Sequence, residues 1–356
     1  MNKTKHLLNI LIGLLLLISA SCSRHVTKLD TSQELVIYPA PPDTTRIQYL
    51  TSISKSTDVT RKKSGFAKFI LGNDPAKQIV KPYGVAIYSS KIYICDPGMR
   101  GIEIIDLEKN AFEYFIPSGL GELKLPLNCC LDERGYLYVA DGERLQIVIF
   151  DDKGNYVDCF GEAAHFKPTD VNVTADKIWV ANVKNNRVSV YDKENHQLLY
   201  SFPDSEKGQE DHLYSPTNIY VTADRVYVSD FGDSKIKIYT HEGLFLKSIG
   251  SYGSGIGQLA RPKGISVDRK SNVYIVDAGF ENTQIFDKEG KLLLYFGGPY
   301  KGPGDMWLPA KVVIDYDHLA YFQKYVNPRF HLVYLIFVTN QYGPDKLNVY
   351  GFVEPS

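Results

Sequence analysis

RPKGISVD at residues 261–268, followed by NVYIVD at residues 272–277, is the stretch that decides the fold of this chain. It predicts two short strands with a turn between them. A third strand is predicted at residues 283–286, then an Asp-Lys-Glu-Gly turn at 287–290, and a fourth strand at 291–296. The unit therefore contains four strands.

This unit repeats along the chain, and each copy opens with a proline. The spacings between successive prolines are 44, 42, 48, 46 and 47 residues, and the prolines are Pro82, Pro126, Pro168, Pro216, Pro262 and Pro309. A strand-rich repeat with a period in the forties is typical of a β-propeller. One small sheet cannot bury both of its faces alone, so each copy must stack on its neighbours. The six copies predict an all-β, six-bladed β-propeller of four-stranded blades.

The last copy ends after its third strand, whereas a lone strand pattern, IQYLTSI at residues 47–53, precedes the first copy. We expect an N-terminal strand at residues 46–54 to complete the last blade, because ring closure hides two open sheet edges. Short helices are predicted near residues 65–72 and 318–326 from the spacing of apolar residues. The first is interpreted as packing on one mouth of the propeller, with a membrane-surface helix as the alternative. The second is either a partner-docking element or a cap over the channel mouth.

The N-terminus has the pattern of an export signal, with Lys3 and Lys5 before an apolar run at residues 7–20. ISASC at residues 18–22 resembles the bacterial lipobox, although Ser19 departs from it. The resemblance implies a lipoprotein signal peptide at residues 1–21, lipidation at Cys22, a tether at 22–45 and the propeller at 46–356. Ser23 favours the outer membrane, facing the periplasm. An ordinary signal peptide with an incidental cysteine is the alternative.

The net charge of -1 excludes the strongly basic domain that nucleic-acid binding requires. The other four cysteines, Cys95, Cys129, Cys130 and Cys159, lack the spacing of a zinc site. Buried free thiols are the favoured interpretation of these cysteines. A disulfide from Cys95 to a cysteine of blade two stays open, because export permits it.

Four motifs resemble NHL repeats: PKGISVD at 262–268, YIVD at 274–277, NNRVSVYD at 185–192 and FLKSIG at 245–250. The resemblance covers residues 80–306 well and 307–356 loosely. It implies a six-bladed β-propeller, and exported bacterial members of this family are often lipoproteins. Some six-bladed relatives resemble lyases that hold zinc with inner-ring histidines. None of the eight histidines here falls on a predicted innermost strand.

Three repeated positions are candidates for chemistry on the face where the proline loops enter the innermost strands. The first lies two residues after each proline: Gly84, Asn128, Asp170, Asn218, Gly264 and Lys311. Oxygen atoms of Asn128, Asp170 and Asn218 are ligands that Ca²⁺ prefers. Turn geometry alone is the favoured explanation, because one carboxylate among the three is a poor charge count for a divalent ion.

The second position ends each second strand and is always Asp or Asn: Asp96, Asp141, Asn182, Asp230, Asp277 and Asn340. Strict repetition favours a backbone-binding turn over an active site. The third position opens the third strand with a basic residue in five blades: Arg100, Arg144, Arg187, Lys235 and Lys346. Together with Lys263 and Lys311, these predict a basic face that steers an anionic ligand. Ion pairs with the Asx positions are the alternative.

These patterns favour a lipid-anchored binding or scaffolding module of the cell envelope. Its expected partner is an envelope protein, or an anionic glycan or small ligand, at the channel mouth. The alternative is a propeller hydrolase or lyase with a metal at the channel mouth. Catalysis is the less favoured interpretation, because the sequence contains no nucleophile elbow, phosphate loop or paired metal-ligand helix.

Overall fold

The computed structural model describes residues 35–60, 75–162 and 164–356, where nearly all regular structure is β. Cys22 and the helix predicted near residues 65–72 lie outside the described residues. Each of the first five blades is built from four consecutive antiparallel strands. Their bounds are β3–β6 (Val85–Tyr88, Lys91–Asp96, Gly101–Asp106, Ala111–Phe115), β7–β10 (Pro126–Leu131, Leu137–Asp141, Gln146–Phe150, Tyr156–Phe160), β11–β14 (Pro168–Val173, Lys177–Asn182, Arg187–Asp192, Leu198–Phe202), β15–β18 (Pro216–Val221, Val226–Asp230, Lys235–Tyr239, Phe245–Ile249) and β19–β22 (Pro262–Val267, Val273–Asp277, Asn282–Phe286, Leu292–Gly297).

The sixth blade closes the ring as predicted. Its sheet has the order β1-β2-β25-β24-β23. The five strands are β1 (Ile37–Tyr38), β2 (Ile47–Ile53), β23 (Pro309–Asp315), β24 (Phe330–Asn340) and β25 (Leu347–Pro355). The N-terminal strand β2 pairs with the C-terminal strand β25, from Ile47 opposite Phe352 to Ile53 opposite Leu347. The six-bladed fold is therefore confirmed.

Strand β1 lies within the segment that the sequence analysis assigned to a tether. It adds a fifth strand at the edge of blade six, with Tyr38 paired to Ile47. The Tyr38 ring packs on Phe296 of blade five, and its hydroxyl donates to the carbonyl of Gly304 at 3.1 Å. Ile37 and Tyr38 are half-buried at this edge. The polar residues and prolines around them did not indicate a strand.

The hydrophobic core is divided among the six interfaces between neighbouring blades. One cluster of buried side chains lies between each adjacent pair, and the ring is completed by the cluster between blades six and one. In that last cluster, Ile53 and Leu347 of blade six pack with Val85 and Ile92 of blade one. This distribution follows from the physics of the repeat, because each small sheet buries its faces against its neighbours.

The innermost strand of each blade is its first strand in the repeat, such as β3 in blade one and β23 in blade six. These six strands contact one another around the axis. We call the end of the ring with the proline loops the upper face, and it also carries the loops between second and third strands. The lower face carries the turns between first and second strands and between third and fourth strands. The antiparallel order of each blade fixes this division.

A short helix on the lower face interrupts blade six, as predicted. It consists of α1 (Leu319–Phe322) and a 3₁₀ turn (Gln323–Tyr325). Phe322 is buried in the cluster between blades six and one. The amide of Gln48 in the closing strand donates to the carbonyl of Tyr325 at 2.9 Å. In the described ranges, no helix has the length and apolar character for crossing a membrane.

The four cysteines of the first two blades are free thiols. Cys95 and Cys129 lie in one buried cluster between these blades. Burial, followed by the neighbouring Cys129, raises the pKa of the Cys95 thiol.

Candidate functional site

The upper part of the channel contains the ring of residues that lie two positions after the prolines. Asn128, Asp170 and Asn218 are fully buried, and Lys311 is 7% exposed. The glycines of this ring fit a crowded space, since a Cβ on Gly84 would lie 2.6 Å from the Oδ1 atom of Asn128. These side chains therefore lie inside the channel, below its open mouth.

Lys311 and Asp170 form an ion pair across the channel. They belong to blades six and three, which face each other in a six-membered ring, and the Nζ–Oδ2 distance is 2.5 Å. The same carboxylate oxygen accepts from the Nδ2 of Asn218 at 3.2 Å and from the backbone of Ile219 at 3.1 Å. The ammonium group therefore takes the place beside Asp170 that the sequence analysis offered to Ca²⁺.

Two amide oxygens in this ring have no protein partner within the described residues. They are the Oδ1 atoms of Asn128 and Asn218. The Nδ2 of Asn128 donates to the carbonyl of Thr169 at 2.7 Å, which fixes the orientation of that amide. A buried acceptor without a partner is costly, so these oxygens mark polar space in the channel.

The Asx residues that end the second strands bind backbone, as the repetition indicated. Asp141 accepts from the N–H groups of Lys124 at 2.7 Å, Leu125 at 3.0 Å, Glu143 at 3.1 Å and Arg144 at 2.9 Å. The first two belong to the proline loop, and the last two belong to the following turn. In five blades this side chain joins two upper loops in the same way, which is a role in folding. In blade four, the backbone N–H groups that Asp230 binds in the described residues belong to the proline loop alone.

Most of the predicted basic residues on the upper face are engaged locally. Arg144 donates to the carbonyls of Leu120 at 2.9 Å and Glu122 at 2.7 Å. Arg187 pairs with Asp204 at 2.5 Å and Lys235 with Asp233 at 3.2 Å, while Arg100 is exposed. Neither of these pairs involves an Asx position.

Lys263 is the basic residue that the structure places at the open mouth of the channel. Its Nζ lies 5.0 Å from the ring centroid of Tyr83, which belongs to blade one and not to Lys263's own blade five. Burial, followed by the charges of Arg261 and Lys81, lowers the pKa of Lys263 to about 8. In the described part of the chain, no ion pair includes any of these three basic residues.

Aromatic side chains accompany these cations. The Nζ of Lys81 lies 5.2 Å from the ring centroid of Tyr342. Tyr342 is 45% exposed and Trp307 is 46% exposed, and the backbone N–H of Tyr342 donates to the carbonyl of Trp307. We call Lys81, Tyr83, Arg261, Lys263, Trp307 and Tyr342 the mouth site. The sequence analysis did not single out Tyr83, Trp307 or Tyr342, although exposed aromatic residues beside a proline loop are a usable signal.

The described residues offer no group of three or more His, Cys, Asp or Glu side chains arranged to hold a metal ion. His212 lies near the upper face, and its Nδ1 is 2.8 Å from the carbonyl of Ser205. The side chains of the mouth site carry ammonium, guanidinium and aromatic groups.

The fold and this site define a six-bladed β-propeller with a basic, aromatic mouth. The family described as 6-bladed beta-propeller (DUF5128) matches residues 206–291. Among curated proteins, none matches the chain significantly.

Solved structures with the same fold have little sequence in common with this chain. A structural-genomics protein of unknown function from Bacteroides thetaiotaomicron is 13% identical, with a TM-score of 0.58, covering 87% of this chain and 76% of that one. Virginiamycin B lyase from Staphylococcus aureus is 13% identical, with a TM-score of 0.53, covering 76% and 81%. A streptogramin B lyase is 12% identical, with a TM-score of 0.52, covering 76% and 82%. At this identity, the likeness shows the fold alone.

Proposed function

We propose that this chain is a binding propeller of the bacterial cell envelope that holds an anionic glycan at the mouth site. The observation that carries the proposal is Lys263, a half-buried ammonium group beside two other cations and without an acidic partner in the described residues. A bound anion stabilises such a group, because its opposite charge compensates both the cost of desolvation and the repulsion between like charges.

The aromatic residues of the mouth site make a sugar the fitting carrier of that charge. Tyr342 exposes ring surface beside Lys81, and Trp307, whose carbonyl accepts from the N–H of Tyr342, is exposed as well. A sugar ring can pack on such surface while its carboxylate or sulfate group pairs with an ammonium group. The basic groups also attract an anion before contact, which raises the association rate at low ionic strength.

The proposed place of the protein follows from the N-terminal pattern. In this proposal the propeller of NHL-type repeats is held near a membrane by lipidation at Cys22 and a tether. Its proposed location is the outer membrane, facing the periplasm. Several acyl chains hold a protein far better than a single chain, which binds membranes only marginally. In this proposal the ligand is an envelope glycan within reach of the anchor.

Calorimetric titration with trigalacturonate, a carboxylated sugar, tests the proposal, with uncharged maltotriose as the comparison ligand. Lys263→Gln should weaken trigalacturonate binding about tenfold, since a hydrogen bond to a charged group contributes about 1.5–3 kcal/mol. Lys153→Gln on the exposed lower face is the matched control and should change nothing. Equal affinity of the two sugars, or no effect of Lys263→Gln, would refute an anionic site here.

The pH dependence gives a second and independent measurement. Because the pKa of Lys263 is lowered to about 8, its charge is present at pH 7 and is mostly lost at pH 9. Trigalacturonate affinity should therefore fall as pH rises through about 8, and Lys263→Gln should remove that step. The same mixtures, analysed by chromatography for cleaved sugar, distinguish a binder from the alternative hydrolase or lyase.

A further inference from the structure

A cavity opens at the lower face, beneath the inner strands of blades five, six and one. Its volume is about 490 Å³, and side chains from three blades line it. Ile87 and Val313 provide apolar wall, whereas Arg269, Asp317 and His318 provide polar groups. The ion pair between Lys311 and Asp170 lies farther up the channel, so this cavity is separate from the mouth site.

Arg269 is a cation held in place without an acidic partner. Its guanidinium lies 3.9 Å from the ring centroid of Tyr316, and its backbone N–H donates to the Tyr316 hydroxyl at 3.1 Å. Within the described ranges, no ion pair includes Arg269. A planar guanidinium stacked on an aromatic ring keeps its N–H edges available for a carboxylate.

His318 presents a hydrogen-bond acceptor in the same cavity. Its Nδ1 lies 3.0 Å from each carboxylate oxygen of Asp315, a residue that is 6% exposed. That contact places the proton of the neutral ring on Nδ1 and leaves Nε2 as an acceptor. Asp317, the next residue but one after Asp315, is exposed and adds a negative charge.

A comparable cavity between blades two and three lacks this feature. Its basic side chains are already paired with acids: Lys193 with Asp132 and Glu133, Arg134 with Asp132, and His196 with Asp158. Such pairs stabilise the fold without calling for a ligand. The lower cavity of blades five, six and one is therefore the stronger candidate for binding.

We propose that this lower cavity binds a short, apolar peptide with free ends. The peptide carboxylate pairs with Arg269, its ammonium group pairs with Asp317, and a peptide N–H donates to Nε2 of His318. The apolar side chains pack on Ile87 and Val313. One cation, one exposed anion, one acceptor and apolar wall match the parts of such a zwitterion, and the volume suits a dipeptide or tripeptide.

The test pairs changes in the ligand with changes in the protein. Calorimetry or NMR titration of the full chain with Leu-Leu should show saturable binding. Amidation of the Leu-Leu carboxylate should weaken binding about tenfold, and Arg269→Gln should weaken Leu-Leu binding by a similar factor. For Arg269→Gln, amidation should then have almost no further effect, because the same contact is already lost.

The second pair consists of Asp317→Asn and N-acetylation of Leu-Leu. Each change alone should weaken binding about tenfold, and N-acetylation should have almost no further effect on the Asp317→Asn variant. Arg225→Gln, which removes a lower-face arginine that does not line the cavity, is the matched control and should bind Leu-Leu as the unaltered protein does. Thermal melting of each variant separates a lost contact from a lost fold. Absence of binding to Leu-Leu, or equal binding of free and doubly capped peptide, would overturn the proposal. Neither result bears on trigalacturonate binding at the mouth site.

Discussion

Glu103 gives blade one a buried acid at a third-strand position where the other five blades have none. It lies in the third strand of that blade and is fully buried, and neither of its carboxylate oxygens accepts a hydrogen bond in the described part of the protein. Burial, then the charge of nearby Asp96, raises the pKa of Glu103 from 4.5 to about 10. At neutral pH the folded protein therefore holds Glu103 as the neutral acid.

The direction of the resulting pH dependence follows from proton binding. Between pH 5 and pH 9, folded Glu103 carries a proton that the unfolded chain has released. The free energy of unfolding therefore falls as pH rises, with a contribution from Glu103 of about 1.4 kcal/mol per pH unit. At pH 7 this contribution has reached about 3 kcal/mol, because the pH is then 2.5 units above the ordinary pKa of 4.5.

We predict that Glu103→Gln stabilises the protein at pH 7 by up to about 3 kcal/mol and removes this contribution to the slope. The amide is uncharged, as the neutral acid is, and it has no proton to lose. Blade five already carries Gln284 at the equivalent strand position, where it is 4% exposed and donates to the carbonyl of Gln258 at 3.0 Å. A glutamine therefore fits this place in a blade.

Urea unfolding, followed by tryptophan fluorescence at several pH values, measures the effect. The comparison is between the slopes of the variant and the unaltered protein, so that titration of all other groups cancels. Glu113→Gln, on the exposed side of the neighbouring strand β6, is the matched control and should leave both stability and slope unchanged. Parallel slopes for Glu103→Gln and the unaltered protein would show that Glu103 is ionised in the fold.

Three further predictions concern the ring itself. Lys311→Met should lower the free energy of unfolding in urea by about 3–5 kcal/mol, because it leaves Asp170 buried and unpaired. Adding Asp170→Asn should recover much of that loss, and equal stability of the single and double variants would contradict the ion pair. Ile47→Ala should cost about 2–5 kcal/mol and speed hydrogen exchange in β25, because fully buried Ile47 fastens the closing strand; unchanged exchange there would argue against closure by β2. Asp141→Ala should lower the free energy of unfolding by about 3 kcal/mol, because four backbone N–H groups lose their acceptor. Asp151→Ala in an exposed turn should lower it less, and the reverse order would refute the structural role of Asp141.

The repeat made the fold predictable, because its causes are local and are copied in each blade. A proline that opens each unit, alternating strands and an Asx turn are visible within any window of about fifty residues. The closing strand was also predictable. The last repeat contains one strand too few, and a lone strand precedes the first repeat, so the lone strand was expected to complete the last blade. Strand β1 was missed because Ile37 and Tyr38 are too short a pattern to distinguish from their polar surroundings.

The site was less predictable, because its contacts join residues that are distant in sequence. Lys311 and Asp170 are 141 residues apart, and only the closed ring brings them together. The same holds for Lys263 and Tyr83, which meet near the axis although blade six lies between their blades. A list of positions two residues after each proline contained Asp170, Lys311 and their neighbours, but could not show which of them pair with each other.

Departures from the repeat therefore carry more functional information than the repeat itself. The Asx positions are nearly identical in all six blades, and the hydrogen bonds of Asp141 show why: they hold loops together. By contrast, Lys263 is the only ring-entry residue directly after a proline that carries a charge, and no neighbouring blade supplies the acid that would neutralise it in the described structure. Stability gains nothing from an unneutralised charge placed near the axis, where six blades crowd together. A ligand that brings the missing negative charge accounts for its presence, and binding measured across the pKa of Lys263 is the direct test.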